Sequence, residues 1–155
     1  LLKTYLHSLS ASLKISNERV ILAKPLTYMN LAGSCVKGLM ELKRVELKDL
    51  LIILDDADLE LGRIKLMARG SDAGHKGLRS IIGELGTGEF NRLRIGIGRP
   101  PSRMLSEYVL DEFKKGELPF VKYAIELSCN AVDTWVRYGI DAVMNNFNSL
   151  KFVAV

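Results

Sequence analysis

No stretch of this sequence approaches the roughly 18 consecutive apolar residues that a membrane-spanning helix needs. Its longest aliphatic run is Leu50-Leu51-Ile52-Ile53-Leu54. Cysteine is equally scarce. Cys35 and Cys129 are too few for a disulfide framework, and both fall in apolar helical settings, which fits buried free thiols in a reducing compartment. A Gly-Lys-Ser/Thr phosphate loop and a dinucleotide fingerprint are both missing, which leaves a flavodoxin-like nucleotide binder poorly supported. There is no signal-peptide layout, no repeat, no low-complexity tract and no linker that would divide the chain. The positive excess is small, +4, and admits an anionic partner such as nucleic acid without demanding one.

What is present is ordinary globular material: 155 residues, 48% hydrophobic and 26% charged, enough for one domain with its own core. The five-residue aliphatic run leads into Asp55-Asp56-Ala57-Asp58. An apolar run without alternation predicts a strand buried on both faces, at the centre of an α/β sheet. Carboxylates at its C-terminal end fall where such sheets place a ligand crevice. The plainer alternative is a solvated turn or a helix cap.

The chain begins Leu1-Leu2-Lys3-Thr4-Tyr5-Leu6, without Met or a cap, and reads as the tail of a helix whose beginning is absent. From Ser8 to Ile15, Leu9, Ala11, Leu13 and Ile15 alternate with Ser8, Ser10, Ser12 and Lys14, predicting a half-exposed strand. Ser16-Asn17-Glu18 turns it into a second strand at Val20-Ile21-Leu22-Ala23, ended by Lys24-Pro25. Asn30 or Thr27 would cap a helix carrying Leu31, Cys35, Val36, Leu39 and Met40. Gly62 marks a turn before a short strand at Ile64-Lys65-Leu66-Met67.

Gly70-Ser71-Asp72-Ala73-Gly74-His75-Lys76-Gly77 then opens a helix through Leu78, Ile81, Ile82 and Leu85, where backbone amides can approach an anion. His75 is there either as an N-terminal hydrogen-bonder or as a functional group. In Phe90 to Pro100, alternation sets Leu93, Ile95 and Ile97 against Arg92, Arg94, Gly96 and Gly98. That second face joins a cationic end to a bare floor, suited to phosphate or to packed backbone. A long amphipathic helix follows, with Val121, Ala124, Leu127, Ala131 and Trp135 on its apolar side; Gly139 stops it and a short helix spans 140–147.

Taken together, four blocks resemble the bacterial-type peptidyl-tRNA hydrolases in that family's order. They are Lys24-Pro25-Leu26-Thr27-Tyr28-Met29-Asn30-Leu31-Ala32-Gly33, Asp55-Asp56-Ala57-Asp58-Leu59 with Gly62, Gly74-His75-Lys76-Gly77-Leu78-Arg79-Ser80-Ile81, and Arg92-Leu93-Arg94-Ile95-Gly96-Ile97-Gly98-Arg99-Pro100. Ala142 to Asn148 resembles the family's closing segment. The resemblance implies a single α/β domain, a twisted mixed sheet between helices, monomeric and cytoplasmic, without metal or cofactor. It implies cleavage of the ester between a peptide and the 3′ ribose of tRNA, recycling tRNA for translation. In the family a histidine activates water, an aspartate orients it and asparagines hold the substrate. Asp55 falls at the aspartate position and Asn30 at an asparagine position. Tyr28 and Met29 would line the peptide groove, Gly74 and His75 its other wall, and Arg94 would grip the tRNA 5′-phosphate.

The sequence also departs from that pattern. The family's first strand, its Gly-Asn-Pro-Gly loop and the Thr-Arg-His-Asn segment with the catalytic histidine are not among these residues, and would precede Leu1. His7 lies in a Leu-His-Ser strand setting and His75 belongs to another block. Neither replaces that base. Lys76 stands at a usual asparagine position, and Met67 where a second phosphate-gripping lysine is expected, a role Lys65 or Arg69 would have to take. Two hypotheses follow. One is an authentic hydrolase lacking its first segment in these 155 residues, which alone would be inactive. The other is a non-catalytic RNA-binding relative, similar to the plant organelle splicing factor built on the same fold.

Overall fold

The computed structural model describes residues 3–99 and 104–152; the readings at Leu1, Leu2 and Pro100 fall outside them. The chain gathers into two compact units, Leu1–Leu50 with Ala68–Asn91, and Leu51–Met67 with Arg92–Val155. Each unit combines a sheet with helices, as the α/β reading expected.

In the first unit, β1 (Lys3–Tyr5), β2 (Ser8–Ile15) and β3 (Glu18–Pro25) form an antiparallel sheet in that order. The hairpin forms as expected, in register from Ser8↔Pro25 to Ile15↔Glu18, but the buried positions of β2 are Ser8 and Ser10 rather than the apolar residues that alternate with them. The expected helix tail is instead β1. Leu6 and His7 take left-handed φ values of 47° and 57°, a paired turn whose twist suits a hairpin, so Lys3 lies opposite Ser10. His7 therefore occupies a turn rather than a strand, and its carbonyl accepts from the Leu26 amide at 2.7 Å.

Helix α1 (Ala32–Lys43) is entered through a 3₁₀ turn at Met29–Leu31. Neither Asn30 nor Thr27 caps it: the turn itself satisfies the leading amides, with Leu31 N donating to Tyr28 O at 2.9 Å and Ala32 N to Met29 O. Helix α2 (Lys76–Leu85) packs closely on α1 at Gly33, where a Cβ would run into the Ser80 carbonyl. The Gly33 amide donates to Ser80 Oγ at 3.0 Å. Cys35 is buried on α1, as expected. Burial pushes its thiol pKa up, and a hydrogen bond with Ser8 opposes the shift. Cys129 departs from expectation and is exposed.

In the second unit β4 (Leu51–Asp56), β5 (Ile64–Met67) and β6 (Asn91–Gly96) form a sheet ordered β4-β6-β5. The sequence placed the central strand at Leu50-Leu54. Among the described residues that position belongs to β6, and β4 is an edge strand with Ile53 50% exposed. The reason is that β4 buries alternate positions at its end, Leu54 and Asp56, while β6 is enclosed along its length. Strands β5 and β6 are antiparallel, pairing Ile64↔Ile95, Lys65↔Arg94, Leu66↔Leu93 and Met67↔Arg92.

Helix α4 (Leu118–Phe147) covers this sheet, and Ile64, Leu66, Leu93, Ala124, Leu127, Ala131 and Val143 make a continuous core. Gly139, at φ 82° and ψ 179°, breaks the helix where its sequence indicated. Just past the helix end, the Asn148 amide accepts from Leu66 N at 2.7 Å and donates to Leu66 O at 3.0 Å. One side chain thereby pairs the open edge of β5 as a neighbouring strand would.

Candidate active site

The expected site residues fall into two groups, one on each unit. In the first, the 3₁₀ turn presents Tyr28, Met29 and Asn30, all exposed, with Tyr28 83% accessible. The 72–77 loop presents Gly74, His75 and Lys76. Met29 and His75 converge on Gly77: a Cβ at Gly77 would collide with Met29 Sδ and stand 3.1 Å from His75 Cε1. Only glycine lets the thioether lie across the start of α2.

His75 is the N-cap of α2, its Nδ1 accepting from Leu78 N at 3.1 Å. The acceptor role assigns the ring proton of the neutral imidazole to Nε2. The structural alternative raised for His75 is therefore real, and it leaves the rest of the ring beside Met29. Ahead of it Ala73 and Gly74 take φ values of 47° and 82°. Asp72 closes this turn. Its Oδ1 accepts from Gly74 N at 2.7 Å, its carbonyl from His75 N at 2.9 Å, and its carboxylate faces Arg79 at 3.3 Å. The Arg79 guanidinium first, and then the Gly74 amide, hold the Asp72 carboxyl below the usual carboxylate range.

In the second group, period-two alternation separates the neighbouring acids on β4. Asp55 is exposed, whereas Asp56 is 7% exposed. Asp56 Oδ2 lies 3.0 Å from Arg94 Nε, with both side chains largely covered, and Asp56 Oδ1 accepts from Asp58 N at 2.9 Å. Asp58 in turn pairs with Arg99 at 2.9 Å. Sequence reasoning missed the Asp56–Arg94 pair, although alternation signals that two successive acids on a strand face opposite ways.

The cationic face of β6 differs from expectation in two respects. Arg92 is 1% exposed, and burial, followed by the neighbouring Arg94 charge, lowers its guanidinium pKa. It is a core residue, not a surface grip. The bare floor at Gly96 is filled by the chain's own backbone, since a Cβ there would collide with the Glu60 carbonyl. Lys65, opposite Arg94 in the register, is exposed and makes no ion pair among the described residues. Arg69 is drawn toward Glu89 at 3.9 Å. No group of three or more His, Cys, Asp or Glu among the described residues is arranged to hold a metal. None of their helices is long and apolar enough to cross a membrane.

Known proteins give this arrangement its context. The peptidyl-tRNA hydrolase family matches residues 2–154, a span that lends no support by itself to an absent N-terminal segment. The chain is similar to the peptidyl-tRNA hydrolase of Syntrophomonas wolfei, at 46% identity over 88% of this chain and 74% of that protein. It is similar to the Bacillus subtilis enzyme of the same name, at 46% identity over 87% and 72%. The crystal structure of the Acinetobacter baumannii peptidyl-tRNA hydrolase superposes with a TM-score of 0.90 at 33% identity, covering 97% of this chain and 78% of that one. These relatives carry the name of the enzyme, so the non-catalytic reading is not favoured. With a family match over residues 2–154 and close agreement in fold, the chain belongs to the peptidyl-tRNA hydrolase family, whose reaction is hydrolysis of the ester joining a peptide to tRNA.

Proposed function

We propose that Asp55 orients the general base, that Asn30 holds the scissile end of the substrate, and that Tyr28, Met29, Gly74, His75 and Lys76 form its binding wall. The observation that carries this reading is the division of labour on β4. Asp56 is buried against Arg94, while its neighbour Asp55 is exposed to solvent. A carboxylate bonded to imidazole fixes its tautomer and stabilises the imidazolium as water gives up its proton. Asn30 adds an amide donor and acceptor without charge, suited to an ester whose oxygen becomes negative on attack. The base itself is a histidine in the family's Thr-Arg-His-Asn context. His7 is held in a hairpin turn and His75 caps a helix, so we assign neither as that base. We further propose that these residues act as one hydrolase domain, monomeric and cytoplasmic, without metal or cofactor.

Arg94 and Lys65 divide the phosphate grip between them in this reading. Arg94 is neutralised by Asp56 and contributes directed N–H donors; Lys65, opposite it, contributes the net charge. Lys65→Ala is expected to weaken binding of a hydrolysis-resistant peptidyl-tRNA analogue and to lower the slope of log K against log salt by about one. Titrations at several salt concentrations check this. An unchanged slope removes Lys65 from the phosphate contact, and binding insensitive to salt removes the basic face altogether.

A further inference from the structure

We propose that Asp72 and Arg79 are positioning residues for substrate binding: their ion pair holds the Ala73–Gly74 turn so that His75 and Lys76 are presented together. The inference rests on the reading that His75 and Lys76 bind substrate, and adds what keeps them in place.

Three observations carry it. First, the turn needs a clamp. Ala73 has a Cβ yet sits at φ 47°, a conformation that strains an L side chain. Second, the Asp72 carboxylate accepts from Gly74 N at 2.7 Å and is anchored to α2 through Nε and Nη2 of Arg79 at 3.3 Å, while its backbone carbonyl accepts from His75 N at 2.9 Å.

Third, the pairing is selective. Lys76 is nearer to Asp72 in sequence than Arg79 is, yet Arg79 takes the carboxylate. Lys76 is left exposed without an ion pair among the described residues. It begins α2, at the end of the helix dipole that disfavours a cation. Arg79 lies one turn further along the helix and spans back to Asp72 with a planar fork that reaches both oxygens, a geometry an ammonium does not offer. The pair thus engages the Asp72 carboxylate and, among the described residues, leaves the Lys76 ammonium without an ion pair.

The test is binding of a hydrolysis-resistant peptidyl-tRNA analogue to the 155-residue chain. Asp72→Ala and Arg79→Ala are each expected to weaken binding about tenfold through a displaced loop. The double variant should do no worse than either alone, and Arg79→Lys should recover part of the loss. The melting temperature should move by no more than about 3 °C, because the pair is solvent-exposed. In a Lys76→Met background, Asp72→Ala should add little further loss.

Binding unchanged by Asp72→Ala or Arg79→Ala, while Lys76→Met weakens it, overturns the positioning role alone. Full additivity of Asp72→Ala with Lys76→Met overturns it as well. If Lys76→Met is silent, the substrate-binding reading of Lys76 falls and the positioning role falls with it.

Discussion

Asp55→Asn is expected to lower kcat for peptidyl-tRNA hydrolysis by about a thousandfold, by analogy with imidazole-orienting carboxylates, and to change analogue affinity by less than about twofold. The residue stands at the exposed end of β4, and the asparagine keeps its shape while removing its charge. An amide in that place can present its NH₂ to the ring and favour the wrong tautomer, and it cannot stabilise the imidazolium that forms as water attacks. Substrate is bound by other residues in this reading, so the loss belongs to the chemical step. The measurement is single-turnover peptide release beside equilibrium binding, made in a form of the protein that turns over peptidyl-tRNA. Equal losses in rate and affinity would make Asp55 a binding group and end its orienting role. The same reading expects residues 1–155 alone to bind analogue without turnover. Robust hydrolysis by them would put the base among His7 and His75.

Much of this was legible in the residues because it depends on local chemistry. Alternation from Ser8 to Ile15 gave β2 its limits, and Gly139 marked the break in the last helix, since its φ of 82° is one that glycine alone adopts freely. The candidate blocks Tyr28-Met29-Asn30 and Gly74-His75-Lys76 were picked out by their resemblance to family motifs, which are short contiguous segments.

What escaped was set by distant partners. The aliphatic run at Leu50-Leu54 looked more central than β6, because no local pattern tells that Arg92 is buried or that Ile53 is exposed. Arg94 looked like a free phosphate ligand until Asp56, 38 positions away by their numbers, was seen to hold it. The helix cap was misplaced because a 3₁₀ turn at Met29–Leu31 supplied backbone bonds in place of Asn30 or Thr27. Asp72 and Arg79 are separated by seven residues, a spacing that brings side chains together only because the Ala73–Gly74 turn folds back on the helix.

The second large effect is on stability. Asp56→Ala should cost about 3 kcal/mol, the range for removing one partner of a buried ion pair, and that exceeds what deleting a surface charge achieves. Side-chain exposures of 7% for Asp56 and 19% for Arg94 place the pair largely out of water. Loss of the carboxylate strands a guanidinium that is already beside Arg92 on a strand enclosed by the sheet. It also removes the acceptor for Asp58 N, and with it the turn that leads out of β4. Urea denaturation reads the change as a lowered midpoint at constant m.

The double variant Asp56→Ala with Arg94→Met separates the two contributions. If the stranded charge dominates, removing it restores most of the stability, as replacing buried pairs by apolar groups commonly does. If the turn dominates, the double variant stays as weak as the single. A loss below about 0.5 kcal/mol in Asp56→Ala would mean that water screens the pair as it does at a surface. Arg94 would then be available to phosphate as a full cation.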